Sequence, residues 1–334
     1  MSIPTAMHAL EQTSLNGPQD LRMIADAPVP VPSQGEVLIR VTAAGVNMAD
    51  ISQAYGTFRD GPQPPYLAGF EAAGEVVVLG EGVTTVALGA HIIGVGYGAF
   101  AEYMVVPAIA AVPVPPGWTD EQALGLVVNL PTAVAALNHL GQLAAGQTVL
   151  IHAAAGATGQ GAVKIAKHYG AKVIATASST KHEVVRSLGA DHVLDSRSGD
   201  IAGEVLRLTD GVGADLVIES IGGETFEASL ASARRVTGRI IVTGLPAGEA
   251  SITNWDLVYR HQVQIVGFNM GALIRTAPQI FGAVMGELFA LIRARVLSPV
   301  QPTVYKLTDG PKALAALEGR SSVGKLALQL SPPS

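Results

Sequence analysis

Ala154-x-Gly156-x-x-Gly159 comes directly after the apolar run Thr148-Val149-Leu150-Ile151, and Ala162–Tyr169 follows with apolar side chains at helical spacing. That order predicts a strand, a tight turn and a helix. Lys172–Thr176 supplies a second β-branched run for the next strand. A glycine turn in this place lets the backbone approach a pyrophosphate, which the helix N-terminus holds with its N–H groups and positive dipole end. Ala155, Gly156, Ala157, Thr158 and Gly159 are therefore the expected diphosphate cradle. An NAD site usually adds an acid about 20 residues past the glycines, on the ribose hydroxyls. Here no Asp or Glu lies between Glu121 and Glu183, and the second strand runs out into Ala177-Ser178-Ser179-Thr180-Lys181. The hydroxyls of Ser178 and Ser179 and the ammonium of Lys181 suit a 2′-phosphate, so NADPH is the expected cofactor. The other reading of those residues is a Ser/Thr helix cap followed by a solvated lysine.

A chain of 334 residues, 49% hydrophobic, can bury a large core, and its length suggests two domains. Its formal charge is −6 and it has no long basic run, so neither nucleic acid nor an anionic membrane surface is expected as partner. The absence of cysteine removes disulfides, thiol nucleophiles and cysteine-ligated metals together. The stretch MSIPTAMHALEQTSLNG lacks the basic flank and apolar core of a signal peptide, and no apolar run reaches spanning length, so a cytoplasmic protein is expected.

Residues 1–46 read as β structure, with Glu36–Ala43 alternating like a half-buried strand. Gly45–Asp60 carries polar groups on a short helix and loop. Gly69–Gly80, Gly89–Tyr97 and Ala99–Val106 continue as strands of a barrel-like β domain. Asp120 is expected to cap a helix starting near Glu121, and Leu124–Leu143 to form a helix interrupted at Pro131. Beyond the glycine turn, strands near His192–Leu194, Leu216–Glu219, Arg239–Thr243 and Gln264–Phe268 alternate with helices near Ile201–Leu208 and Phe226–Ala233. Such alternation implies a parallel, doubly wound sheet. Ala277–Val296 reads as a long amphipathic helix and Lys325–Leu330 as a final strand that rejoins the first domain.

Gly45-Val46-Asn47-Met48-Ala49-Asp50, Gly69-Phe70-Glu71-Ala72-Ala73-Gly74, Ala153–Gly159 and Ser322-Val323-Gly324-Lys325 occur in this order. The set resembles the medium-chain dehydrogenase/reductase superfamily, specifically its zinc-free quinone oxidoreductase branch, which includes zeta-crystallin. The likeness runs from about residue 6 to residue 330. It implies an α/β fold with a GroES-like β-rich catalytic domain, over residues 1–123 and 267–334, and a Rossmann NADPH-binding domain over 124–266. It also implies an active site in the cleft between them, and homodimers that pair edge strands of the Rossmann sheets.

The departures narrow the chemistry. Zinc alcohol dehydrogenases of this superfamily have cysteine where Asn47 stands and histidine where Phe70 stands, and Glu71 alone does not make a site of three or four ligands. Without a Lewis acid, alcohol oxidation loses its usual driving device. Reduction of a quinone or conjugated carbonyl needs less, because hydrogen-bond donors can hold the developing oxyanion or enolate. The expected activity is NADPH-dependent, metal-free hydride transfer to such a small molecule. The alternatives are a 2-alkenal or enone double-bond reductase, a zinc-independent alcohol dehydrogenase, and a non-enzymatic nucleotide- or RNA-binding role like that of zeta-crystallins. The missing basic stripe weighs against RNA.

By the same resemblance Asn47 contacts the nicotinamide ribose or the substrate; from the residues alone it caps the Met48-Ala49-Asp50 turn. Tyr55 could donate from its phenol or pack half-buried. Phe58 stands where enoyl thioester reductases of the superfamily have a catalytic tyrosine, and it cannot give a proton. Asn129 and Thr132 match the segment that lines the nicotinamide site, Thr132 being otherwise a cap near Pro131. Gly244 and Phe268 fall at the cofactor, although an aromatic beside Met270 also reads as core. Lys325 reaches cofactor phosphate or ends a strand as a solvated charge. Asn47, Tyr55 and Asn129 are the expected catalytic set, with no metal. The eight histidines show no metal-binding spacing, and His152 reads as a backbone-bonded neutral ring. Neither Asn47 nor Tyr55 titrates near neutrality, so the rate is expected to vary little between about pH 6 and 8.

Overall fold

The computed structural model describes residues 3–330; residues 1–2 and 331–334, which the expected domain limits include, lie outside the described residues. The chain divides into two compact units, Met1–Val127 with Pro299–Ser334, and Val128–Ser298.

The first unit is built on a seven-stranded sheet. Its order is Thr303–Lys306, Leu326–Gln329, Glu36–Val46, Glu71–Leu79, His91–Val95 and Val112–Pro113, with Tyr103–Pro107 pairing beside Glu36–Val46. A three-stranded sheet of Leu21–Pro28, Ala6–Gln12 and Tyr66–Leu67 accompanies it. The strand Glu36–Val46 is the hub. Its first half pairs with Tyr103–Pro107, its last four residues with Leu326–Gln329, and its other edge with Glu71–Leu79. The expected alternation of buried and exposed residues fails there, because both faces are apolar. Val37, Ile39 and Val41 enter one core with Phe100 and Leu326, while Leu38 enters another with Met7 and Tyr103. Each fully buried Ile or Leu contributes roughly 1.5–3 kcal/mol.

The second unit carries six parallel strands in the order His192–Asp195, Lys172–Ala177, Thr148–Ile151, Leu216–Glu219, Arg239–Val242, Gln264–Gly267. The chain starts at the middle strand and winds outward in both directions, which is the doubly wound Rossmann order. Leu150, Ile174, Val217 and Ile240 pack with Val205 and Leu230 from the covering helices. Strands covered on both faces read as unbroken apolar runs, and that is why they were legible.

Several local expectations are corrected. Thr119, not Asp120, caps the helix Asp120–Ala123: its Oγ1 accepts the Gln122 N–H (3.3 Å), and Gln122 Oε1 accepts the Thr119 N–H (3.0 Å). Asp120 turns instead to His91 Nδ1 (2.8 Å) and the Thr42 hydroxyl. Pro131 does not interrupt its helix. It is the third residue of Asn129–Val134, where a missing N–H costs no internal bond, and the irregularity falls in the π-helical turn Ala135–His139. Residues 267–298 pack with the parallel-sheet unit rather than with the β domain. Glu287, on the helix Pro278–Arg293, accepts from Asn138 Nδ2 (2.9 Å) and the Tyr169 hydroxyl and lies 2.9 Å from His139 Nε2, which ties that helix to the second unit. Among the described residues no helix is long and apolar enough to cross a membrane.

Candidate active site

In a parallel sheet of this winding, ligands bind at the C-terminal edge near the strand where the order reverses. Thr148–Ile151 is that strand, and the chain leaves it through Ala153 at φ 50° before the helix Ala157–His168, which has Gly156 as its N-cap. The Ala153 carbonyl accepts the Gly156 N–H (2.9 Å). It also lies so close to Gly159 that any Cβ there would strike it and the Ala154 backbone, so only glycine fits. Nothing acidic in the helix's first turn competes with a bound anion. Asn129 Nδ2 donates to Thr158 Oγ1 (3.2 Å) and braces the neighbouring helix against this turn, with Ala155 buried beneath it. The Thr132 hydroxyl donates to the Val128 carbonyl (2.6 Å) within its own helix.

Three other expected residues follow strand ends on the same edge. Gly244 comes after Thr243, whose N–H donates to the Glu219 carbonyl (2.7 Å), and Phe268 is buried with its N–H on the Val242 carbonyl (2.8 Å). Ser178 begins the short turn Ser179–Lys181 at the end of Lys172–Ala177. Ala177 pairs with Asp195 on the adjacent strand, which brings Arg197 alongside. Asp195 Oδ1 accepts the Arg197 N–H (3.0 Å). Burial first, and the Arg197 cation second, hold the Lys181 ammonium below the usual lysine range. Two converging cations suit a doubly charged anion. Motif spacing missed Arg197, since it is visible only once the register of those two parallel strands is known.

The first unit holds a separate buried cluster. Glu71 is fully buried and accepts from the Gly125 N–H (2.7 Å), Asn47 Nδ2 (2.9 Å) and Lys325 Nζ (2.6 Å). Asn47 Oδ1 accepts from Lys325 Nζ (2.7 Å), and its Nδ2 also donates to the Gly45 carbonyl (3.2 Å). The ammonium therefore faces the amide oxygen and the carboxylate faces the amide nitrogen, which fixes the carboxamide's orientation. A Cβ at Gly45 would collide with the Glu71 carboxylate and crowd Lys325, so the strand must bare its backbone here. The Asn47 N–H donates to Asp50 Oδ2 (2.7 Å), while Asp50 Oδ1 is buried without a partner. Burial, together with the nearby Glu71 carboxylate and against the Asn47 N–H and Lys325, pushes the Asp50 carboxyl up to about 7. Tyr66 is pushed up to about 12 by burial and by Asp50. Sequence reasoning placed Asn47 and Lys325 at a site but did not find Asp50. A helix N3 acid is ordinarily a solvated cap, and only its burial marks this one out.

The expected residues do not all come together. Tyr55 is the C-cap of the helix Met48–Ala54, and Asn47 is its N-cap, so about 12 Å of helix separates them. Tyr55 is 41% exposed, and its hydroxyl bonds the Glu318 side chain, which raises the phenol above its usual range. A zinc ion does not fit among Asn47, Phe70 and Glu71, because the Lys325 ammonium already contacts both polar side chains. Among the described residues no group of three or more His, Asp or Glu could hold a metal ion. His152 is buried, and its ring bonds side chains, not the backbone as expected: Thr176 Oγ1 is 3.0 Å from Nδ1 and Ser229 Oγ 3.1 Å from Nε2.

Comparison with known proteins identifies the family. Residues 33–116 match the family model of the alcohol dehydrogenase GroES-like domain, and residues 157–287 that of the zinc-binding dehydrogenases. A probable quinone oxidoreductase of Leishmania amazonensis is 38% identical over 251 residues, 73% of this chain and 72% of that protein. Prostaglandin reductase-3 of Bos taurus is 39% identical over 251 residues, 74% of this chain and 66% of that protein, so the match spans just under two thirds of the bovine protein. Among solved structures, the mycobacterial protein Rv1454c complexed with NADPH is similar with a TM-score of 0.91 at 32% identity, covering 97% of this chain and 100% of that one.

Proposed function

The chain belongs to the quinone oxidoreductase branch of the medium-chain dehydrogenase/reductase superfamily, and from that membership we propose that it transfers hydride from NADPH to quinones or related conjugated carbonyls without a metal ion. The observation that carries the metal-free reading is the buried cluster of Asn47, Glu71 and Lys325, in which an ammonium answers the one carboxylate and leaves no ligand set for a divalent cation. An acceptor already activated by conjugation does not need a Lewis acid to take a hydride.

When bound, the reduced nicotinamide supplies the hydride. The chain's own residues bind and orient. The turn Ala155–Gly159 cradles the diphosphate, and Asn129 braces that turn through Thr158. Gly244 and Phe268 follow strand ends on the same sheet edge, and Thr132 serves the nicotinamide from the helix that carries Asn129. Ser178, Ser179, Lys181 and Arg197 hold the 2′-phosphate, a reading supported by the mycobacterial neighbour's NADPH complex. Asn47 acts by orientation, since both hydrogens of its amide are engaged by Glu71 and Gly45. The proton that completes the reduction comes from solvent, because the Tyr55 phenol is raised by its bond to Glu318 and gives its proton up poorly.

A second reading, reduction of an enone or 2-alkenal double bond, is favoured by the bovine prostaglandin reductase-3 likeness and uses the same residues. We place the enzyme in the cytoplasm as a homodimer, with Gln264–Gly267 at the sheet edge as the pairing strand. The test is NADPH oxidation screened in one plate against quinones, short enones and 2-alkenals, with and without a chelator. Turnover that survives chelation is expected. About one zinc per chain, or activity abolished by the chelator, would overturn the metal-free reading. No NADPH oxidation with any of the three acceptor classes would overturn the acceptor class.

A further inference from the structure

Four polar side chains are buried together beneath the glycine turn, and the cofactor reading uses none of them. His152 follows the strand Thr148–Ile151, Thr176 lies on the strand beside it, Glu219 ends the strand on its other side, and Ser229 comes from the helix Glu224–Ser232. All four are at most 2% exposed. Glu219 Oε1 accepts the N–H groups of Ile221 (2.6 Å) and Gly222 (2.9 Å), and Oε2 accepts the Ser229 hydroxyl (2.6 Å).

The direction of each bond follows from the carboxylate, which can only accept. Ser229 gives its hydrogen to Glu219 at 2.6 Å, with the Thr225 carbonyl at 2.9 Å a second, longer acceptor, and so its oxygen takes a hydrogen from His152 Nε2. His152 Nδ1 then carries the lone pair and accepts from the Thr176 hydroxyl. Every member of the chain is satisfied with His152 neutral and protonated on Nε2. Burial pushes the ring below the usual histidine range, and Glu219, the charged group facing it, pulls the other way. Directly after His152, Ala153 holds a left-handed conformation at φ 50° that alanine adopts only when its surroundings impose it. That conformation aims the Ala153 carbonyl at the Gly156 N–H and against Gly159, and so shapes the cradle.

We propose that the chain Thr176–His152–Ser229–Glu219 is a positioning device that clamps the strand end and imposes the strained Ala153 turn, thereby setting the affinity for a dinucleotide's diphosphate. The proposal rests on the cofactor reading above. His152, Ser229 and Glu219 act through the turn, and none of them reacts.

The experiment is a double-mutant cycle on NADPH affinity, read by fluorescence titration beside a thermal melt of each variant. Ser229→Ala should weaken NADPH about 10-fold. Ala153→Gly alone should change it less than about threefold, because glycine takes this φ without strain. Adding Ala153→Gly to Ser229→Ala should recover most of the lost affinity even where the melting temperature stays low, an outcome that a merely structural role does not produce. Thr176→Val cuts the other end of the chain, should behave like Ser229→Ala, and serves if that variant does not fold. Side-chain 15N NMR of the wild type should show His152 as the neutral Nε2–H tautomer from pH 6 to 8. Unchanged affinity in Ser229→Ala and Thr176→Val, no recovery on adding Ala153→Gly, or an imidazolium at pH 7 would each overturn the clamp. Wild-type protein that binds no NADPH would strike the cofactor reading itself.

Discussion

Replacing Asp50 by asparagine tests whether the Asn47 cluster tolerates only one carboxylate charge. Lys325 already answers Glu71, so ionised Asp50 would add a second buried negative charge with one oxygen unpartnered. The carboxyl is raised from the ordinary aspartate value of 3.8 to about 7, mainly by burial. Between about pH 4 and 7 the folded protein therefore keeps a proton that the unfolded chain has lost, and stability falls as pH rises through that window. At about 1.36 kcal/mol per pH unit across that window, the loss amounts to about 4 kcal/mol by pH 7 and is level above it. The Asp50→Asn carboxamide copies the protonated carboxyl and removes this dependence. Wild type and variant should melt together near pH 4, and the wild type should fall roughly 10 °C below the variant at pH 8, at about 2–4 °C per kcal/mol for a unit of this size. Trp118 lies in the first unit and Trp255 in the second, so melts in a Trp255→Phe background isolate the unit that matters. Parallel pH dependence in the two proteins would refute the reasoning. The expectation of a flat pH–rate profile between pH 6 and 8 left this carboxyl out, and the same pair of proteins tests it.

Lys325→Met should destabilise the first unit by about 3–5 kcal/mol, because it strands the buried Glu71 carboxylate, and Glu71→Gln on top should recover most of that in urea titrations. A cost under about 1 kcal/mol would show that the pair is dispensable. Lys181→Ala and Arg197→Ala should each weaken NADPH about 10- to 100-fold in equilibrium titration, at about 1.5–3 kcal/mol per charge-assisted contact, and leave NADH nearly unchanged. Equal losses for both cofactors would mean that neither residue reads the phosphate. Tyr55→Phe should lower kcat/KM less than about threefold, since its hydroxyl is turned to Glu318, and a loss of about a thousandfold would make it the proton donor after all.

What the sequence disclosed, it disclosed through local pattern. The glycine turn and the parallel strands were legible because a strand covered on both faces leaves an apolar run with sharp edges, as in Thr148–Ile151 and Leu216–Glu219. The strand Thr303–Lys306 and the helix Gly310–Glu318 were missed. The strand is mostly exposed, and the helix buries only a narrow stripe at Gly310, Ala313 and Leu314. At the site, residue types were visible and partnerships were not. Lys325 read as a solvated strand end or a phosphate ligand, and nothing local says that it meets a carboxylate 254 residues earlier. His152 read as backbone-bonded because its partners, Thr176 and Ser229, lie 24 and 77 residues away.

The closing of the first unit by Leu326–Gln329 sets an order on how the protein can be made. That strand pairs with the end of Glu36–Val46, and beside it Lys325 neutralises Glu71, yet the whole Val128–Ser298 unit is synthesised in between. At about 5–20 residues per second, roughly 200 residues of ribosomal travel leave the early strands waiting about 10–40 s. Throughout that interval the edge at Ala43–Val46 has no neighbour and Glu71 has no cation. The second unit can be finished while the first is still open, so a nascent chain stopped short of residue 325 would display a completed Rossmann fold beside an unsealed β domain. Such an open edge is the kind of surface that chaperones and proteases engage.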